Sequence, residues 1–445
     1  MLCERNDRVL KHFFWTLLNL LAAAILFSGR VAVASSASYD EEPIKYSTSP
    51  PNDAIARLQK ELATGGVSLK YDEKFGYLPA LLEYLKISPK SQMLVFSKTS
   101  LQVHHISPET PRALYFNDDA YIGFCHNGDV LEIASTDPTQ GAMFWTLSQK
   151  KTAKPTFTRQ TDKCLQCHDS NSMTMGNPGH IMRSVYPDDE GRPIYSAGTY
   201  HTTQESPFKE RWGGWYATGT TGAMQHMGNT IVKNKDDAEH TDFSKGQNVT
   251  DLSALIDAPS YLTPHSDIVA LLVAEHQTVM HNYITRASFE MRTALRQERE
   301  TNRALGEPLD RRSPSTLSRL KSVGEPLVKY MLFCEEASFT DAIKGTSGYT
   351  EDFASKALKD ARGRSLRDFD LKKRLFKFPC SYMIYSDSFN ALPPMVMDYV
   401  KQRLTEIFNG KESGTDYKHL TADDRDAIRE ILAATWKGAP KEWKN

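Results

Sequence analysis

Short apolar runs broken by turn residues fill the first half of this chain, and longer helical patterns fill the second. Residues 93–96 (MLVF), 113–116 (ALYF), 120–124 (AYIGF), 130–134 (VLEIA) and 143–147 (MFWTL) are β-type runs rich in aromatic and branched side chains. Between them stand Asn117-Asp118-Asp119, Asn127-Gly128 and Pro138-Thr139-Gln140-Gly141, whose residues suit tight turns. A sixth run at 156–158 and later ones at 181–186, 194–197 and 212–217 continue the pattern. Ahead of them, Asn52-Asp53 can cap a short helix running through Leu62, and 77–85 (YLPALLEYL) fits another. The expectation is a linker and short helix over 35–64, then an antiparallel β-rich domain over 65–235.

From Ser266-Asp267 onward the period changes. A helical pattern runs from Ile268 to about Ala304, long for a globular helix, with Ser266-Asp267 as its cap. Further helices fit 316–335, 365–377, 395–408 and 422–436, the last with Thr421 as N-cap and Asp424 three residues on. After a linker at 236–264, residues 265–445 read as an α-helical domain. No internal repeat interrupts the pattern. The fold class expected is α+β, an antiparallel β-rich domain followed by a helical one.

Charge narrows the partners. The chain holds 54 basic and 55 acidic residues with no polybasic tract, which argues against nucleic acid or an anionic membrane. The N-terminus says where the protein works. Arg5, Arg8 and Lys11 precede an apolar run at 13–27, and Ala32-Val33-Ala34 offers small residues for cleavage, so 1–34 reads as a secretory signal peptide. That run is short of the roughly 20 apolar residues a membrane span needs, so no span is expected unless the segment stays uncleaved as a tether. The leader takes four basic and two acidic residues with it, leaving a formal charge of −3. The expected setting is periplasmic or exported, in a bacterium.

Five residues carry the chemistry: Cys164-Leu165-Gln166-Cys167-His168. Two thiols separated by two residues and followed at once by an imidazole form the attachment sequence of c-type haem. Each thiol adds across one vinyl group of the same porphyrin edge, and the histidine is carried under the ring as an iron ligand. A structural zinc site would need a second pair of Cys or His ligands, and no second CxxC, CxxxH or HxxxH stands elsewhere. A redox dithiol normally sits in a βαβ unit, which the pattern around the motif lacks. Cys125-His126 has the tail of a second attachment site, but position 122 is Ile122, so one covalent haem is expected. Of the other cysteines, Cys3 leaves with the leader. Cys125, Cys334 and Cys380 are an odd set, and a Cys334–Cys380 disulfide stands level with buried free thiols.

The sixth iron ligand decides the function, since a filled site favours electron transfer and an open one allows chemistry or gas binding. Near the motif lie Met173, Met175, His180 and Met182, on and beside a Gly/Pro-containing loop. Further along are His226 and Met227 in a polar loop, and His276 with Met280, four apart on one face of the long helix. His281 points about 140° away from His276 on that helix. The candidates retained for the distal position are His180, His276, His226, Met227 and Met280. The remaining histidines read as ordinary surface or core residues.

The segments FSKTSLQ (96–102), PRALYFNDDAYIGF (111–124), QTDKCLQCH (160–168), PGHIMRSVYPD (178–188), RWGGWY (211–216), HMGN (226–229), EHQTVMHN (275–282) and RLFKFPCSYMIYS (374–386) span most of the chain beyond the leader. In them the chain resembles a group of large exported single-haem cytochrome-c-domain proteins. The resemblance implies haem c held by Cys164 and Cys167 with His168 as axial ligand, and electron transfer with redox protein partners. It implies no substrate, because function lives in the site and not the fold. The alternative is a haem enzyme or gas-binding sensor with an open iron. A third possibility is a scaffold whose helical half docks a partner oxidoreductase.

Overall fold

The computed structural model describes residues 38–412 and 414–444, so the leader, its cleavage point and Cys3 lie outside the described residues. The chain divides into two compact units, residues 1–48 and 49–445. In the described part of the first, a 3₁₀ turn at Ser38–Asp40 carries Tyr39, which makes an edge-on contact with Tyr46.

The second unit opens with α1 (Ala54–Thr64) and α2 (Leu78–Leu85). Asp53 caps α1 by accepting from the Ala56 amide at 3.3 Å. Then comes a six-stranded antiparallel meander, in spatial order β1 (Met93–Val95), β2 (Arg112–Phe116), β3 (Ala120–Phe124), β4 (Val130–Asp137), β5 (Gly141–Ser148) and β6 (Phe157–Arg159). The runs and turns of the sequence correspond to these strands because each turn joins immediate neighbours in the sheet. Register then assigns the faces. Tyr115, Ile122, Ile133 and Trp145 share one face, which meets the start of α1, where the Trp145 indole and the Ser135 hydroxyl both donate to the Asp53 carboxylate. Phe116, Tyr121, Ala134 and Phe144 share the other.

Next follow the four-residue α3 (Leu165–His168) and the small pairs β7 (Arg183–Val185) with β8 (Thr199–His201) and β9 (Gly219–Thr220) with β10 (Lys344–Gly345). The 38-residue helix α4 (Ile268–Leu305) comes after them. Its first turns, Ile268-Val269-Ala270-Leu271-Leu272-Val273-Ala274, are apolar on every side and buried on every side, as a helix running through a core must be. Asp267 caps it, accepting from Val269 and Ala270 amides, and Gly306 ends it in the left-handed conformation. The remaining helices are α5 (Pro314–Met331), α6 (Tyr349–Ser355), α7 (Asp387–Asn390), α8 (Pro394–Phe408) and α9 (Ala422–Thr435), the last with the Thr421–Asp424 capping box. The architecture is α+β, an antiparallel sheet region followed by helices. One apolar cluster includes Met93, Phe116 and Tyr121 of the sheet together with Leu271, Val328 and Ile428 of the helices. Among the described residues no helix is long and apolar enough to cross a membrane.

Three local expectations are corrected. Residues 194–197 form a 3₁₀ turn at Tyr195–Ala197, not a strand. Residues 212–217 form no strand beyond a single bridge from Trp215 to Val95. Trp212 and Gly214 both have positive φ, which breaks the extended conformation. Residues 365–377 are not helical. Asp368 accepts from the Ser365 amide and Asp370 from those of Lys372 and Lys373, so aspartate side chains satisfy the backbone in turns instead of a helix doing so.

Candidate functional site

The chain leaves the edge strand β6 still attached to the sheet, with the Gln160 amide donating to the Phe144 carbonyl at 2.8 Å. Four residues later it turns into α3. His168 and Cys167 amides both donate to the Cys164 carbonyl, so the two thiols and the imidazole belong to one helical turn. Cys164 is half-buried and Cys167 exposed, and all five cysteines of the described residues are free, Cys334 and Cys380 included. Burial and the Glu132 carboxylate push the Cys164 thiol up to about 11.

His168 is held by a reciprocal pair of contacts. Its Nδ1 lies 2.9 Å from the Gly179 carbonyl, and the Gly179 amide donates to the His168 carbonyl at 2.9 Å. A carbonyl can only accept, so Nδ1 carries the proton and the Nε2 lone pair is left for another partner. The ring packs on Phe144 at 4.6 Å between centroids. Burial lowers the His168 pKa, which keeps the imidazole in its neutral, ligating form.

Gly179 is in turn held from α4. The Asn282 amide side chain brackets His180, accepting from its backbone N–H at 2.9 Å and donating to its carbonyl at 2.8 Å. A Cβ at position 179 would lie 2.5 Å from Asn282 Oδ1 and 2.8 Å from Thr174 Cβ. Gly179→Ala is therefore expected to cost about 1–3 kcal/mol through overpacking. It should also disturb the His168 hydrogen bond, read as a change in the imidazole ¹⁵N shifts alongside the melting temperature. Unchanged nitrogen shifts would show that Gly179 does not set the tautomer.

Behind His168 the same sheet face carries an imidazole cluster. The His180 ring lies 4.8 Å from Tyr121 and 5.2 Å from His281, and its Nε2 is buried with no hydrogen-bond partner. Burial, with His281 and His168 adding to it, holds His180 well below the usual histidine value. His281 is fully engaged, Nε2 with the Asp118 carbonyl at 3.0 Å and Nδ1 with the Thr136 hydroxyl at 3.4 Å. Tyr121 accepts from Gln277 at 2.6 Å, and Tyr382 donates to the same glutamine at 2.6 Å.

Of the five distal candidates, the structure brings His180 beside His168 and places the others in different surroundings. His276 uses both ring nitrogens, at 2.7 Å from Gln204 Oε1 and 2.7 Å from Ser381 Oγ, and stacks on Phe333. Burial pushes its pKa down to about 3. Met280 is enclosed in the apolar cluster. His226 packs against Trp212 and accepts from the Gly228 amide at 3.1 Å, and Met227 sulfur accepts from Ser184. The residues that sequence reasoning passed over are Phe144, Gly179, Asn282 and the Arg112–Glu132 ion pair. Register, which the sequence does not give, is what puts Phe144 and Tyr121 on one face, and nothing local pointed to Asn282.

Among the described residues no group of three or more His, Cys, Asp or Glu is arranged to hold a metal ion. The donor set at α3 is thus one available imidazole nitrogen and two unpaired thiols. Comparison with protein-family models, curated proteins and solved structures finds no match for this chain.

Proposed function

We propose that the protein is an exported mono-haem c-type cytochrome that passes electrons between redox protein partners in the periplasm. Cys164 and Cys167 hold the porphyrin covalently and His168 ligates the iron. One observation carries the reading: the Gly179 carbonyl accepts a hydrogen bond from His168 Nδ1–H and leaves Nε2 bare, on the same turn as two free thiols. A hydrogen bond of this kind orients a ligating imidazole and raises its basicity. The donor set suits this group better than zinc, which needs four protein ligands in a structural site.

When bound, haem supplies reversible one-electron chemistry at the iron. The chain's own residues do the rest. Gly179 fixes the tautomer, Phe144 supports one face of the imidazole, and Asn282 ties the 178–180 segment to α4. Gly179 approaches His168 at Nδ1, the edge away from Nε2, and brings His180 with it. We therefore assign His180 to the layer that supports His168. The half-exposed Met173, five residues beyond His168 on the adjoining loop, is then a ligand-type residue for the sixth position, while Met175 sulfur accepts from Arg286.

The test is a reduced-minus-oxidised spectrum of the exported protein, recorded with and without carbon monoxide. A low-spin six-coordinate spectrum that ignores carbon monoxide is expected. Carbon monoxide binding would move the reading to a haem enzyme or gas sensor, and a spectrum without haem would end both.

A further inference from the structure

At one end, imidazoles cover the sheet face beneath the motif. Tyr121 and Phe144 lie under His180, His281 and His168. The next row across the same face is Leu114, Gly123, Glu132, Thr146 and Thr158, with Arg112 two residues along from Leu114. Although β2 to β5 are interior strands, Leu114, Glu132, Ala134 and Thr146 are only half-buried. Antiparallel sheets do leave one face to water. Two details separate this strip from an ordinary wet face.

The first is Gly123 in mid-strand, flanked by the half-buried apolar Leu114 and close to Ala134. Glycine inside a strand costs stability and marks places where a ligand or another backbone comes close. Gly123 is buried between its cross-strand neighbours: a Cβ there would lie 3.3 Å from the Glu132 carbonyl oxygen and 3.4 Å from both Leu114 Cδ2 and Glu132 Cβ, so any side chain would push these neighbours outward from the strip. The second is Arg112. Its Nη1 reaches Glu132 at 2.6 Å, and Glu132 is further satisfied by Ser100 at 2.8 Å and Gln102 at 3.1 Å. Arg112 Nε is buried without a partner. A guanidinium has five donors in a planar fork suited to a carboxylate, and the Glu132 contact leaves room for a second one.

The strip adjoins the motif. His168 packs on Phe144, next to Thr146 on the same face of β5. We propose that the covalently held porphyrin lies along this strip, its ring over Leu114, Gly123 and Ala134, with a propionate carboxylate on the Arg112 guanidinium. The inference rests on the haem reading above and adds the side of the motif on which the group sits and the cation that receives it.

The experiment uses the full exported, haem-loaded chain. In the reduced protein, or its carbon monoxide complex if the iron is five-coordinate, the Leu114 and Ala134 methyl protons should be ring-current shifted outside the normal methyl envelope. Leu114→Val and Ala134→Gly assign them. The resonance Raman propionate-bending band should move in Arg112→Gln and return part of the way in Arg112→Lys. Ordinary methyl shifts together with an unmoved band, in a protein that still stains for covalent haem, overturn this inference and leave the haem reading intact. The methyl measurement needs no change at Arg112, so it holds even if those variants fold poorly. A parent protein without covalent haem overturns both.

Discussion

A chain carrying Cys164→Ala together with Cys167→Ala is expected to lose all haem-dependent staining on a denaturing gel, where the parent chain shows a stained band at its own mass. Thioether bonds survive denaturation and axial ligation does not, so only the two cysteines can keep haem on the unfolded chain. Each single variant retains one attachment and should stain more weakly. The loss should not be a folding artefact. Cys164 is half-buried and Cys167 exposed at the start of a four-residue helix, so the double change should alter the stability of the haem-free protein by no more than about 0.5 kcal/mol. Covalent haem persisting in the double variant would falsify the central reading.

The largest effect on stability is expected at Arg211. Its Nη1 lies 2.7 Å from Glu275 Oε2, with the two side chains 2% and 0% exposed. Its other donors reach the carbonyls of Gln204 at 3.1 Å and Ser206 at 2.8 and 3.0 Å. Burial already pushes Glu275 up to about 7, with the guanidinium opposing it. Arg211→Met leaves that carboxylate enclosed without its cation, a loss of about 3–5 kcal/mol in urea unfolding. Arg211→Met with Glu275→Met should recover much of it, since apolar residues of similar volume often replace a buried ion pair without net cost. The loss should also depend on pH. A carboxyl whose folded pKa is raised binds a proton that the unfolded chain, titrating near 4.3, does not. Stability then falls as pH rises through that window, so the single variant should be least stable near pH 8 and recover toward pH 5. A double variant as unstable as the single one would show that the pair is not what matters there.

How much of this was legible in the residues depends on how far each signal reaches along the chain. The strands from 93 to 159 were, because each pairs with its neighbour in sequence, β2 to β5 across short turns, and alternation plus turn residues are local signals. Helix α4 was, because its period and its Asp267 cap lie in one stretch of sequence. Residues 365–377 were misread because an apolar spacing compatible with a helix competes there with aspartates that bond to their own backbone. The WGGWY run was misread because aromatic content suggested a strand while Trp212 and Gly214 sit at positive φ against the rest of the fold.

The same division runs through the site. Order and spacing alone single out Cys164, Cys167 and His168, because two thiols and an imidazole within one turn make the c-type attachment pattern. The surroundings of each histidine come from distant parts of the chain. His180 is bracketed by Asn282, 102 residues away, and His276 is occupied by Gln204 and Ser381, 72 and 105 residues away. Which imidazole nitrogen is bare, and which is spent on a hydrogen bond, depends on partners that folding brings up: the Gly179 carbonyl for His168, and Gln204 with Ser381 for His276. A one-dimensional pattern specifies which side chains can ligate; only the packed fold decides which of them still has a lone pair to offer.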